Sequence, residues 1–152
     1  MLQFEMEGTS SPISLEFVQE VEKRYGFILP EDYKRFLLKI NGGRPKPSMM
    51  FTTQNGILTS YLSILFPLIS RDAPSLVGNY LFFNKEGKLP RHIVTIGEDP
   101  LRNLICISLE KDDCGSIYYW DFMHDDGNEP VNNFLVLISE SFSSFIENLR
   151  SE

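Results

Sequence analysis

Cysteine and histidine are both scarce in this chain of 152 residues, with two of each, and that scarcity removes most metal and redox chemistry at once. Cys106 and Cys114 lie eight positions apart and form no CxxC pair. Two cysteines are too few for a disulfide framework, which favours a reducing compartment. Cys106 falls inside a strand-like run and reads as a free, buried thiol, a small hydrophobe whose reactivity is suppressed. His92 and His124 belong to no HExxH motif, so a zinc site would have to gather distant ligands and no metal is expected. Asp125–Glu129 has neither the alternating acids nor the terminal glutamate of an EF-hand and reads as a solvated turn.

The common catalytic frames are missing as well. There is no GxSxG elbow, and Ser143 and Ser144 fall where a helix surface is expected. Gly42-Gly43-Arg44 lacks the spacing and the following Lys-Ser/Thr of a phosphate-binding loop. With no nucleophile beside a base and no cofactor motif, neither enzymatic activity nor a cofactor is expected. Long apolar runs are absent too. Ile57–Ile69 is broken by Thr59, Ser60, Ser63 and Pro67, far short of the roughly 20 residues that span a bilayer. The opening MLQFEMEGTS has acids where a secretory leader places bases, so a cytoplasmic protein without membrane attachment is expected. Basic excess is lacking: the net charge is −7, which gives no long-range attraction to phosphate backbones and argues against nucleic-acid binding.

What the chain does have is apolar content arranged in periodic runs. Hydrophobic residues make up 42%, with twelve Phe, enough for one domain over residues 1–152 with a substantial core. Its densest strand signal is Leu89–Phe122, where His92–Ile96, Leu104–Leu109 and Ile117–Phe122 are rich in β-branched and aromatic residues. The polar connectors Gly97–Asn103 and Glu110–Ser116 are short enough to join neighbouring antiparallel strands. Two helices should precede this meander. Ser14 caps the first, whose stripe is Leu15, Val18, Val21, Glu22 and Tyr25, and Gly26 ends it. Pro30 suits the first turn of the second, which carries Tyr33, Phe36, Leu37 and Ile40 and stops at Asn41-Gly42-Gly43.

Arg44–Pro47 reads as an extended loop, and residues 1–12 as a loosely ordered extension. Phe51–Thr53 and Tyr61–Phe66 read as strands around an Asn55-Gly56 turn. Asp72 is expected to cap a helix through Leu76, Val77, Tyr80 and Leu81. Phe134–Ile138 fits either a buried strand or the start of the last helix, since an apolar run has no decisive period. Ser139 is the expected cap of a closing helix with Phe142, Phe145, Ile146 and Leu149. The order gives an α+β fold: one domain, a mostly antiparallel sheet with a central meander, covered by N-terminal and C-terminal helices.

The surface chemistry points to a protein partner. Glu98-Asp99, Asp112-Asp113 and Asp121 with Asp125-Asp126 come from connectors or strand ends, and some of them cluster if alternate connectors share one end of the sheet. An acidic rim accelerates association with a basic partner. Trp120 is the other candidate, placed with Tyr118 and Phe122 on one sheet face while Ile117 and Tyr119 take the other. Its two readings are core beneath helices or an anchor in an interface.

These stretches together resemble the SUKH superfamily, or Smi/Knr family. LPEDYKRFLLKINGG, Leu29 to Gly43, is similar to its Leu-Pro, aromatic, Phe-Leu and Asn-Gly-Gly pattern. Leu89–Phe122 is similar to its Ile-x-x-Asp, strand, Gly-x-Val/Ile-x-x-Trp pattern, and SFSSFIENL to its terminal helix. Arg102-Asn103 departs from the family, which more often has Gly then Asp or Asn there, and Pro45–Lys88 is the least family-like part. The family often shows an acid or His soon after the Trp, positions taken here by Asp121 and His124. The resemblance implies a SUKH-like fold and a non-enzymatic protein-binding module. Bacterial members are mostly immunity proteins that neutralise toxins, often nucleases, and fungal relatives are regulatory interaction proteins. A basic toxin domain is accordingly the expected partner, with the chain a monomer or weak dimer.

Overall fold

A computed structural model describes residues 2–152. The first strand, β1 (Glu5–Glu7), runs antiparallel to β2 (Arg44–Lys46), and Phe4 beside it is buried. Residues 1–12 therefore include a paired strand in place of the expected loose extension, and Arg44–Lys46 is its partner and not a loop. The strand itself carries one apolar residue, Met6, between two acids, and Pro45 masks its partner. Proline is tolerated there because a short two-stranded ribbon has outward-facing edges.

Helix α1 (Leu15–Tyr25) starts where Ser14 Oγ accepts the Phe17 N–H at 3.1 Å and ends on Gly26 at φ +77°. Val18 and Val21 face the core. Glu22 shares that inward stripe and is buried, its charge met from α2 (Glu31–Lys39) by Lys34 Nζ at 3.1 Å. The same carboxylate accepts the Leu29 N–H at 2.7 Å, which fixes the connector between the helices. Pro30 is the N-cap of α2, with ψ 144°, one place earlier than its fixed φ suggests.

Asn41-Gly42-Gly43 does more than stop α2. Asn41 Nδ2 donates to Ser11 O at 2.9 Å and its Oδ1 accepts the Leu68 N–H at 3.0 Å, joining the N-terminal segment to the sheet entry. Gly42 has φ +78°, and a Cβ there would lie 2.6 Å from Pro67 N, so backbone crosses backbone at a point where only glycine fits.

Strands β3 (Met49–Thr52) and β4 (Thr59–Leu62) form a hairpin. The expected strand Tyr61–Phe66 is cut at Ser63: β5 (Ile64–Leu65) leaves the hairpin and pairs with β6 (Ile93–Glu98) in the main sheet. A β-rich run has no sequence mark for such a change of sheet. Helix α3 (Leu76–Asn79) is capped by Ser75, whose Oγ accepts the Gly78 N–H at 3.0 Å, and not by Asp72. Its entry is set by tertiary bonds, since Leu76 N donates to Pro67 O and Val77 N to Leu68 O. A π-helical turn, Tyr80–Asn84, follows.

The five-stranded antiparallel sheet runs in the order β5, β6, β7 (Leu104–Ser108), β8 (Ile117–Trp120) and β9 (Leu135–Ser139). The open reading of Phe134–Ile138 thus resolves as a strand. Ser139 ends β9, and Ser141 caps α4 (Phe142–Glu147) by accepting the Ser144 N–H at 3.0 Å. Ser139 and Ser141 are both capping-type residues, but Ser139 is held in β9 and only Ser141 is placed to cap.

Alternation sends side chains to two buried faces. Val94, Ile96, Ile105, Ile107, Ile117 and Tyr119 join the larger cluster, together with residues of α1, α2, α4 and the β3–β4 hairpin. Ile93, Leu104, Cys106 and Trp120 join a smaller one with Phe66, Phe83 and Leu89. Full burial of the Cys106 thiol pushes its pKa well above the ordinary cysteine value, which keeps it protonated and unreactive. This is the expected α+β architecture, and no helix among the described residues is long and apolar enough to cross a membrane.

Candidate protein-binding surface

Register decides which acids meet. Glu98, Leu104, Trp120 and Leu135 pair in sequence across the sheet and form one row near its end. Connectors leaving β6 and β8 therefore share that end, whereas the β7–β8 connector lies at the other. Glu98, Asp99, Asp121, Asp125 and Asp126 belong to the first end, and Asp112 and Asp113 to the second. The acidic rim divides into two separate groups.

Beneath the first end lies a buried polar knot. Asp99 is 1% exposed. Its Oδ1 accepts the N–H groups of Leu101 and Asn103, each at 2.9 Å, which shapes the turn. Its Oδ2 accepts the Tyr119 hydroxyl at 2.6 Å and the Ser60 hydroxyl at 2.9 Å, tying β8 and β4 to that turn. Asn103 Nδ2 donates to Tyr119 Oη at 2.7 Å, and its Oδ1 accepts the Met123 N–H at 3.0 Å. Burial and the bonded Asp99 carboxylate both raise the Tyr119 pKa far above the usual phenol value. A carboxylate with this many donors is a structural rivet, so Asp99 has no free valence for a partner.

The knot holds two apolar side chains outward. Leu101 is 70% exposed in the Asp99–Asn103 turn, and Met123 is 59% exposed in a 3-10 turn, Phe122–His124. The Met123–Asn103 bond joins the two segments. The same connectors and strand ends carry Glu98, half-buried, Asp121, bonded to His124 Nδ1 at 2.8 Å, and the exposed Asp126. Asp126 is held below the usual carboxylate range by the backbone and side-chain amides of Asn128. Arg102 and His124 are the basic side chains on these connectors. Exposed apolar side chains accompanied by charged ones are the kind of composition that protein interfaces use.

Trp120 is 1% exposed and stacks edge-on with Phe83 and Phe122, so it belongs to the core and anchors no interface directly. Its indole N–H donates to Asp125 Oδ2 at 3.0 Å, which assigns Asp125 to bracing the loop after β8. At the far end Asp112 is exposed, while Asp113 accepts the Ser108 and Tyr118 hydroxyls, each at 2.6 Å. Partial burial works to raise the Asp113 pKa, yet those two bonds hold it below the usual range; burial and Asp113 together push Tyr118 up to about 12. Asp113 thus closes its own connector. Leu101 and Met123 were missed by sequence reading because each is a single apolar residue in a polar turn; only the fold brings them to one end.

Arg102 has φ +68°, the left-handed region where glycine costs least. It keeps the turn that a glycine would form, so the departure changes the residue and not the backbone. Arg102→Gly should raise stability in urea denaturation by up to about 1 kcal/mol, the strain relieved less glycine's extra unfolded entropy.

No curated protein matches the chain. The model of the SMI1/KNR4 family (SUKH-1) matches residues 12–148, running through the middle segment Pro45–Lys88 as well as both motif regions. Within that frame the Ile-x-x-Asp motif is Ile96 to the knot residue Asp99, and the motif Trp is the buried Trp120. The chain belongs to the SMI1/KNR4 family (SUKH-1).

Proposed function

We propose that the protein is a non-enzymatic immunity protein that neutralises a basic toxin domain by binding it with the Leu101–Met123 end of the sheet. The observation that carries this reading is the presentation of two exposed apolar side chains on a buried polar knot, on connectors that also carry acids. The acids steer the encounter, and the apolar pair supplies the short-range term that slows dissociation. A preorganised turn loses little entropy on binding, which favours high affinity. Family membership supports a binding module of either the immunity or the Smi/Knr regulatory kind. The acids at this end favour the former, because an enzyme-blocking partner for a nucleic-acid-cleaving toxin meets a basic surface.

Affinity capture from the native host, with the captured protein identified and tested for growth inhibition, separates the two. A toxin domain whose toxicity the chain relieves supports immunity; an endogenous, non-toxic enzyme supports a regulatory role. In the captured complex, Leu101→Ala and Met123→Ala should each weaken binding by about 1–2 kcal/mol, mostly through faster dissociation. Thermal stability should stay unchanged, since both side chains are exposed.

A further inference from the structure

The Leu101–Met123 end carries one side chain that acidic steering of a basic partner does not explain. Arg102 stands beside Leu101 in the Asp99–Asn103 turn and is exposed. It is the one non-glycine residue with a positive φ among the described residues, at +68°. An L-residue there carries a steric cost that glycine avoids. The turn leaves Arg102 no other conformation. Its own N–H donates to Asp99 O at 3.0 Å, and the N–H groups of Leu101 and Asn103 on either side are held by Asp99 Oδ1. Asp99 N donates back to Asn103 O at 3.0 Å, so a different φ at this position would break the set.

Within the chain the side chain returns nothing for that cost. The arginines whose guanidinium groups donate hydrogen bonds to side chains are Arg44 and Arg150, and the one stacked on a ring is Arg24. Arg102 makes no ion pair among the described residues, although Glu98, Asp121 and Asp126 belong to the same connectors and strand ends. Its five donors are therefore left to solvent, on a backbone fixed by the buried knot. Strained backbone of this kind clusters at ligand and partner contacts, where the surrounding structure holds it in place.

We propose that Arg102 is a specificity-determining residue, pairing with a single Asp or Glu carboxylate set in the partner's otherwise basic face. The inference rests on the protein-binding reading above and names one group of that partner. Of the groups a protein surface offers, a carboxylate is the one that meets the planar guanidinium fork with two parallel hydrogen bonds. A basic side chain at the matching position would meet Arg102 with like charge. The acids at this end attract any basic face, and Arg102 rejects those that lack the carboxylate.

Steering alone and a specific ion pair predict opposite signs. If the partner offered only basic groups, Arg102→Glu would make this end more acidic and so speed association and tighten binding. With the carboxylate present, Arg102→Glu should weaken binding about a hundredfold and Arg102→Gly about tenfold, both mainly through faster dissociation. The full chain serves as bait for capture from the native host, and the retained protein is purified and titrated against each variant. Urea midpoints verify that both variants are folded. Replacing the acids of the retained protein by Lys, one at a time, should find one position that restores binding to Arg102→Glu, which a purely structural role for Arg102 would not produce. Equal or tighter binding of Arg102→Glu overturns the proposal; if Leu101→Ala still weakens the same complex, the protein-binding reading stands without it. Full affinity in both variants overturns both, as does a lysate from which the unaltered chain retains no protein.

Discussion

Lys34→Met should destabilise the protein by about 3–5 kcal/mol, because it leaves the Glu22 carboxylate buried without its cation. Lys34 Nζ lies 3.1 Å from Glu22 Oε2 and 3.3 Å from Oε1, with both side chains 9% exposed. Its other partner, Glu31, is 3.6 Å away and exposed, so that contact adds little. The Leu29 N–H is the remaining donor to Glu22, too little for a full charge. The double change Glu22→Leu/Lys34→Met should recover most of the loss, since a buried pair replaced by apolar groups of similar volume is often neutral. Urea midpoints of the two variants measure this directly. Equal destabilisation in both would mean that packing, and not charge, joins α1 to α2.

Asp99→Ala should be comparably severe, about 3–5 kcal/mol, for a different reason. It removes one acceptor and strands four donors: the Leu101 and Asn103 N–H groups and the Ser60 and Tyr119 hydroxyls. Each buried orphan costs about 1–3 kcal/mol, reduced where water reaches the turn. Asp99→Asn should cost less, because one amide oxygen still accepts two of these bonds. The two variants also bear on binding, since loss of the knot frees the turn that presents Leu101. A folded Asp99→Ala protein with full partner affinity would show that the knot serves stability alone.

Much of the fold was legible because it rests on local chemistry. Ser14, Gly26 and the Val18–Val21 stripe mark α1 by capping and period, and the three apolar runs mark β6, β7 and β8 by alternation. The misreadings share one cause, which is that tertiary bonds overrode local signals. Ser75 took the cap that Asp72 advertised because carbonyls of Pro67 and Leu68 captured the first helical N–H groups. The strand after Asn55-Gly56 divided between two sheets at Ser63, where no breaker stands. Glu22 follows the period of the apolar stripe, and its charge is answered twelve positions later.

The candidate surface was half legible. Its acids were visible, but their division between two ends follows from strand register, and the interior roles of Asp99 and Trp120 follow from burial. The two exposed apolar residues carry no pattern at all. Association kinetics of the captured toxin domain, measured across ionic strength, test the central claim most directly. Glu98→Lys/Asp126→Lys at the Leu101–Met123 end should slow association about tenfold or more at low salt and flatten its salt dependence. Glu110→Lys/Asp112→Lys, the same charge change at the opposite end, should leave the rate within about twofold of the unaltered protein. Equal slowing by both pairs, or none by the first, would contradict an interface at the Leu101–Met123 end.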